Sequence, residues 1–207
     1  DPRKGRGLTA GPDRPDGLGG EDSRAPAPPW AGERRWRGIN RRLATLADRR
    51  REALSETIRM ARDLEQRLVR IDAAFHRLCP ATCSRCPDPC CLKAKVWFDL
   101  RDLVFLHLTK QPAPPAQPVR AMTETCRYLG PRGCRLHRMS RPWICTWYLC
   151  PAQTARLRRN GDPENLAGMI GAVKSVRKEM ETAFRAAMGR DLYRCVVEND
   201  RLTPPAG

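Results

Sequence analysis

Cysteine is the residue with the most chemistry to offer in this chain. Ten of the 207 residues are cysteines, and they fall into groups. The first group reads Cys79-x3-Cys83-x2-Cys86-x3-Cys90-Cys91, the second Cys126-x7-Cys134-x10-Cys145-x4-Cys150, and Cys195 stands apart. Two residues between cysteines let a tight turn aim both sulfurs at one metal ion, while the free backbone N–H groups of the turn bond the thiolates. Two such groups brought together by a fold supply the four thiolates of a zinc or iron–sulfur site. The competing use of clustered cysteines is a disulfide framework, which belongs to small secreted chains with little core. A body of this length with long helices does not need such staples. Adjacent Cys90 and Cys91 point different ways in an extended chain, so they serve two metals, or only one of them ligates.

Cys83-Ser84-Arg85-Cys86-x3-Cys90-Cys91, with Cys134-Arg135-Leu136-His137-x3-Arg141-Pro142-x2-Cys145 far downstream, resembles the YkgJ-like cysteine-cluster proteins, described as zinc- or iron-chelating domains. The resemblance covers residues 79–151, about a third of the chain. It implies metal binding through Cys83, Cys86, Cys90, Cys91, Cys126, Cys134 and Cys145. Cys150 brings the expected ligands to eight, enough for two four-coordinate sites or one cluster with sulfurs to spare. The chain departs from the pattern at His137, where a Tyr is common, at Cys150, where Tyr-Pro is often seen, and at the additional Cys79. The cysteine count exceeds one zinc site and there are only three histidines, so an iron–sulfur cluster is preferred to zinc. Cys79-x3-Cys83-x2-Cys86 also has the spacing of a radical S-adenosylmethionine cluster, but Arg85 stands where an aromatic residue is usual. A long helix and a proline-rich loop flank that motif in place of alternating strands and helices.

The elements that must position these cysteines are helical, and the expected fold is mainly α. Residues 1–36, rich in Pro and Gly, read as a disordered tail. From Leu43 to Leu78, apolar residues recur at spacings of three, four and seven, one face of an amphipathic helix over residues 37–78. Its opposite face is rich in arginine, and residues 38–78 are a candidate surface for a coiled-coil or partner helix. Cys79-Pro80 is expected to end it, because the residue before proline avoids the α region. Residues 79–151 form the cysteine-cluster module. Within it, Asp99 is placed to cap a short helix running to about His107, and residues 111–118, QPAPPAQP, form an irregular connection. Arg141 is expected to bond loop carbonyls or sit near thiolate charge, and Trp143, Trp147 and Tyr148 to shield the cluster. Asp162-Pro163 starts a C-terminal helical segment over residues 162–200, with a stripe of Leu166, Ile170, Val173, Val176, Met180, Phe184 and Met188.

The formal net charge is +16, and residues 120–161 carry nine arginines against one glutamate, Glu124. Arginine here can offset the charge of metal-bound thiolates or meet an anionic partner such as nucleic acid. No apolar run is long enough to span a bilayer, and the phosphate-binding glycine motifs are absent. No acid–base constellation accompanies the cysteines. The expected function is metal binding by an iron–sulfur cluster or zinc in the cytoplasm. The alternatives are a metal-dependent redox or methyl-transfer enzyme and a zinc-stabilised nucleic-acid-binding module.

Overall fold

A gap in the apolar stripe breaks the long N-terminal helix in two. In this computed structural model, residues 27–83, 86, 92, 96–121, 123–130, 133–162 and 165–198 are described, with side chains in the last helix as far as Gly189. One turn after Leu43 and Ala47 the stripe calls for an apolar residue. Positions 50 and 51 hold arginines instead, and both stay exposed. The helix expected over residues 37–78 is therefore α1, Glu33–Arg49, and α2, Ser55–Thr82. The chain bends between them, and Leu54, with φ −93° and ψ 7°, enters the core fully buried.

The next elements are α3, Leu100–Leu108, and a two-stranded antiparallel hairpin of β1, Leu129–Gly130, and β2, Gly133–Cys134. A 3-10 turn, Arg138–Ser140, then leads to α4, Ile144–Trp147, α5, Pro151–Asn160, and α6, Leu166–Glu198. Gly189, at φ 64°, kinks α6 at the end of the predicted stripe. The fold is mainly α, as the periodicity required. α2 packs along α6, and α3 fills the angle between α1, α2 and α6. The stripe residues Leu64, Leu68, Ile71, Val173, Met180 and Phe184 meet in that core. The apolar face of residues 38–78 is thus covered within the chain. No helix among the described residues is long and apolar enough to cross a membrane.

Several local expectations hold and others shift. Asp99 caps α3 in a full capping box: its Oδ1 accepts the Asp102 N–H at 2.8 Å, and Asp102 Oδ2 accepts the Asp99 N–H at 3.1 Å. The tail drawn to residue 36 is too long. Trp30 and Trp36 are buried, their indole N–H groups donating to the Phe98 carbonyl at 2.9 Å and the Pro114 carbonyl at 2.8 Å. Residues 1–26 lie outside the described residues. The proline-rich connection is irregular, with Pro114, Ala116, Gln117 and Pro118 buried, and Tyr128 Oη both accepts the Ala116 N–H at 3.1 Å and donates to its carbonyl at 2.8 Å. α6 begins at Leu166, later than Asp162-Pro163. The Asp162 carboxylate instead accepts the Leu166 N–H at 2.9 Å from ahead of the helix. α5 is an addition, started by Pro151 at its first turn.

His107 ties α3 to α1. Asn40 Nδ2 donates to the Trp36 carbonyl at 2.8 Å, which turns Asn40 Oδ1 toward His107 Nε2 at 2.9 Å, so that nitrogen carries the proton. Burial, with Lys110 nearby, lowers this imidazole from 6.5 to about 4, against the weaker pull of Asp48. Below pH 6.5 the unfolded chain takes up a proton that the folded imidazole refuses until about pH 4. Stability from this group is therefore fully present above pH 6.5 and is lost as pH falls through the window. Urea titrations should show an acid loss of about 3 kcal/mol in that window, and His107→Gln should remove most of it.

Candidate metal centre

Pro80 does not end α2. It lies within the last helical stretch, and the ladder continues past it with the Cys83 N–H donating to the Cys79 carbonyl at 2.7 Å. A proline so near a helix end forfeits one intrahelical hydrogen bond, a cost the last turn tolerates. The consequence for the chemistry is direct. Cys79 and Cys83 stand one turn apart on the same helix face, below Asp72 and Phe75 on the two preceding turns.

Gln153 of α5 closes over this pair. It is buried, and its Nε2 lies 3.6 Å from Cys79 Sγ and 3.6 Å from Cys83 Sγ. Its Oε1 accepts the Cys150 N–H at 3.1 Å, and the Cys150 side chain in turn caps the N-terminus of α5. One amide side chain thus joins three cysteines from two elements. Thr82 Oγ1 adds a contact to Cys83 Sγ at 3.7 Å. Burial, then the neighbouring Cys83, pushes the Cys79 thiol up to about 11, with Arg138 and Arg141 pulling the other way.

Arg138 is half-buried over the same helix end. Its Nε lies 2.8 Å from Asp72 Oδ1, and its guanidinium sits 4.2 Å from the centre of the Phe75 ring. Burial lowers its pKa, while Asp72, Cys79 and Cys145 favour its charge. Arg141 donates to the Leu136 carbonyl at 3.0 Å, the loop-carbonyl role expected for it, and it too acts on Cys79.

Cys145 lies on α4, exposed, with its N–H donating to the Pro142 carbonyl at 2.9 Å. Trp143 and Trp147 are buried on the other side of that short helix, where Arg177 and Lys174 of α6 lie 5.2 and 3.9 Å from their rings. The tryptophans therefore dock α4 onto α6. Cys134 lies in β2 and pairs with Leu129, and Cys126 comes just before β1, its carbonyl accepting the Leu129 N–H at 3.1 Å. The Cys86 N–H donates to the Cys83 carbonyl at 3.2 Å. Cys90 and Cys91 lie outside the described residues, and so does the side chain of Cys195. His137 is exposed. Among the described residues, no three His, Cys, Asp or Glu side chains converge as a metal ion requires, and no disulfide joins two cysteines. The described residues also contain no barrel of alternating strands and helices such as a radical enzyme uses.

Cys79 and Gln153 were absent from the expected ligand set. The spacing of Cys79 to Cys83 carried the signal for the first, once α2 is allowed to run through Pro80. Nothing in the sequence marked Gln153. A third group also escaped sequence reading. Arg177 of α6 is buried, with Nη1 2.7 Å from Asp102 Oδ1 and Nη2 3.0 Å from Asp99 Oδ2. Asp102 Oδ1 also accepts the Trp143 N–H at 3.1 Å, so one carboxylate holds α3, α6 and the start of α4 together. Burial, with Asp99 beside it, raises the Asp102 carboxyl to about 7, and the three donors on its oxygens keep it an acceptor.

No family model, no curated protein and no solved structure matches the chain.

Breaking the buried pair from either side should be costly. Arg177→Met leaves Asp102 buried without its cation and should lower the free energy of unfolding by about 3–5 kcal/mol. In the double variant Asp102→Leu/Arg177→Met, urea denaturation should recover a measurable part of that loss.

Proposed function

We propose that the chain binds a thiophilic metal, as an iron–sulfur cluster or as zinc, through its two cysteine groups, and that it is related to the YkgJ-like cysteine-cluster proteins. The observation that carries this reading is the arrangement around Gln153. Residues from α2 and α5, seventy positions apart in the chain, bring the Cys79 and Cys83 sulfurs and the Cys150 backbone N–H to one buried amide. The donor chemistry fits a soft metal: thiol sulfurs predominate, histidines are scarce, and Arg138 and Arg141 offset the negative charge that bound thiolates would leave. Cys79 and Cys83, whose sulfurs share the Gln153 amide, are candidate ligands together with Cys145 and Cys150, and Cys86, Cys90 and Cys91 follow α2 in the chain. Cys126, just before the hairpin, and Cys134 within it are candidates for a second site. A bound metal would supply electron transfer or structural cross-linking. The protein side of the work is to hold the sulfurs on rigid helix ends and to compensate their charge.

Ligation of this kind needs reduced thiols, so the reading includes a reducing compartment such as the cytoplasm. Protein purified without oxygen should carry iron with sulfide, or zinc, in stoichiometric amount by elemental analysis and absorption spectroscopy. Cys83→Ser and Cys145→Ser should each lower metal content and melting temperature, because a hydroxyl replaces a thiolate poorly and metal binding is also folding free energy. Metal-free protein with paired disulfides by mass spectrometry would overturn the reading.

A further inference from the structure

Four of the nine arginines of residues 120–161, which read as one basic segment, are divided by the fold into two pairs. Arg138 and Arg141 face the cysteines. Arg120 and Arg127 turn instead to α1, where both reach Glu33 Oε1, at 3.8 and 3.6 Å. There they adjoin a row of arginines on α1 itself. Arg34, Arg37 and Arg41 are exposed, and none has an ion-pair partner among the described residues. At a turn of 100° per residue they fall on one narrow face beside Glu33, rising about 4.5 and 6 Å along the axis from one to the next. Glu124, the other carboxylate nearby, accepts the Arg120 N–H at 3.1 Å. Five arginines from two distant segments thus share one surface with two carboxylates.

Stability does not explain the row. Arg34 lies in the first turn of α1, where the helix dipole disfavours cations, and the Gly32 N-cap supplies no side-chain hydrogen bond. An anion of extended form would relieve both defects. We infer that this composite arginine face of α1 and the loop carrying Arg120 and Arg127 docks on the phosphate backbone of a nucleic-acid duplex. Each strand presents a phosphate about every 3.4 Å of helix axis, so neighbouring arginines reach separate ones. Single strands are bound by aromatic stacking and membranes by apolar insertion. The exposed large hydrophobic residues among those described are only Val69 and Leu92, and neither belongs to α1 or to the loop carrying Arg120 and Arg127.

The inference is independent of the metal reading. Its test is a salt titration of full-length protein on a short mixed-sequence DNA duplex by fluorescence anisotropy. The triple variant Arg34→Gln/Arg37→Gln/Arg41→Gln should reduce the slope of log affinity against log salt by about 2–3. A control of equal charge on α2, Arg59→Gln/Arg62→Gln/Arg70→Gln, should change it by less than about 1. All six residues are exposed, so both variants should keep the melting temperature of the parent. Equal losses in the two variants would mean that net charge alone drives binding, and would overturn the inference. So would binding to vesicles containing anionic lipid in place of the duplex at the same salt.

Discussion

The Arg177–Asp102 pair is the contact on which the middle of the molecule depends. The guanidinium and the carboxylate are both buried, 2.7 Å apart, in a core of aliphatic and aromatic side chains. Neither charge is tolerable there alone, so the two helices that carry them must meet in a single register. Asp102 then spends its remaining lone pairs on the N–H groups of Asp99 and Trp143. The capping box of α3, the position of α6 and the entry of the chain into α4 are consequences of one desolvated carboxylate. Hydrophobic contact alone would allow α6 to slide along α2, because an apolar stripe is non-directional.

That register places the cysteines. With α4 pinned to α6 through Trp143 and Trp147, Cys145 is left on the outer side of the short helix, and the chain runs on to Cys150 and α5. α5 then lays Gln153 across the end of α2, where the Pro80 turn has kept Cys79 in helical register with Cys83. The 3-10 turn locks the same helix end from the other side through Arg138, Asp72 and Phe75. Sulfur, amide and guanidinium therefore converge from four elements, and the two arginines provide counter-charge in a region where burial otherwise keeps a thiol protonated.

The strongly basic composition resolves into parts with different work. Arg177 is internal and structural, Arg138 and Arg141 attend the thiols, and Arg120 and Arg127 extend the arginine row of α1. A formal charge of +16 is a single number in the sequence, whereas in the fold its members differ in burial, partner and orientation.

The sequence alone was enough to identify local and periodic features. The mainly α class, the stripe from Leu166 to Met188, the Asp99 cap and the irregular proline segment are written in residues that act on their near neighbours, and each can be recognised without the rest of the chain. The grouping of the cysteines is of the same kind. Tertiary structure decided whatever depended on distant partners. The break at Arg50–Leu54 comes from a missing buried residue opposite the core, and the burial of Trp30 and Trp36 from carbonyls at Phe98 and Pro114. The passage of α2 through Pro80 depends on Arg138 and Gln153 packing beyond it, and the choice of Cys79 as partner to Cys83 follows from that passage. Helix periodicity is set within a few residues, but a buried polar group is satisfied by whatever the fold brings to it, and Gln153 and Arg177 acquire their roles only when α5 and α6 are in place.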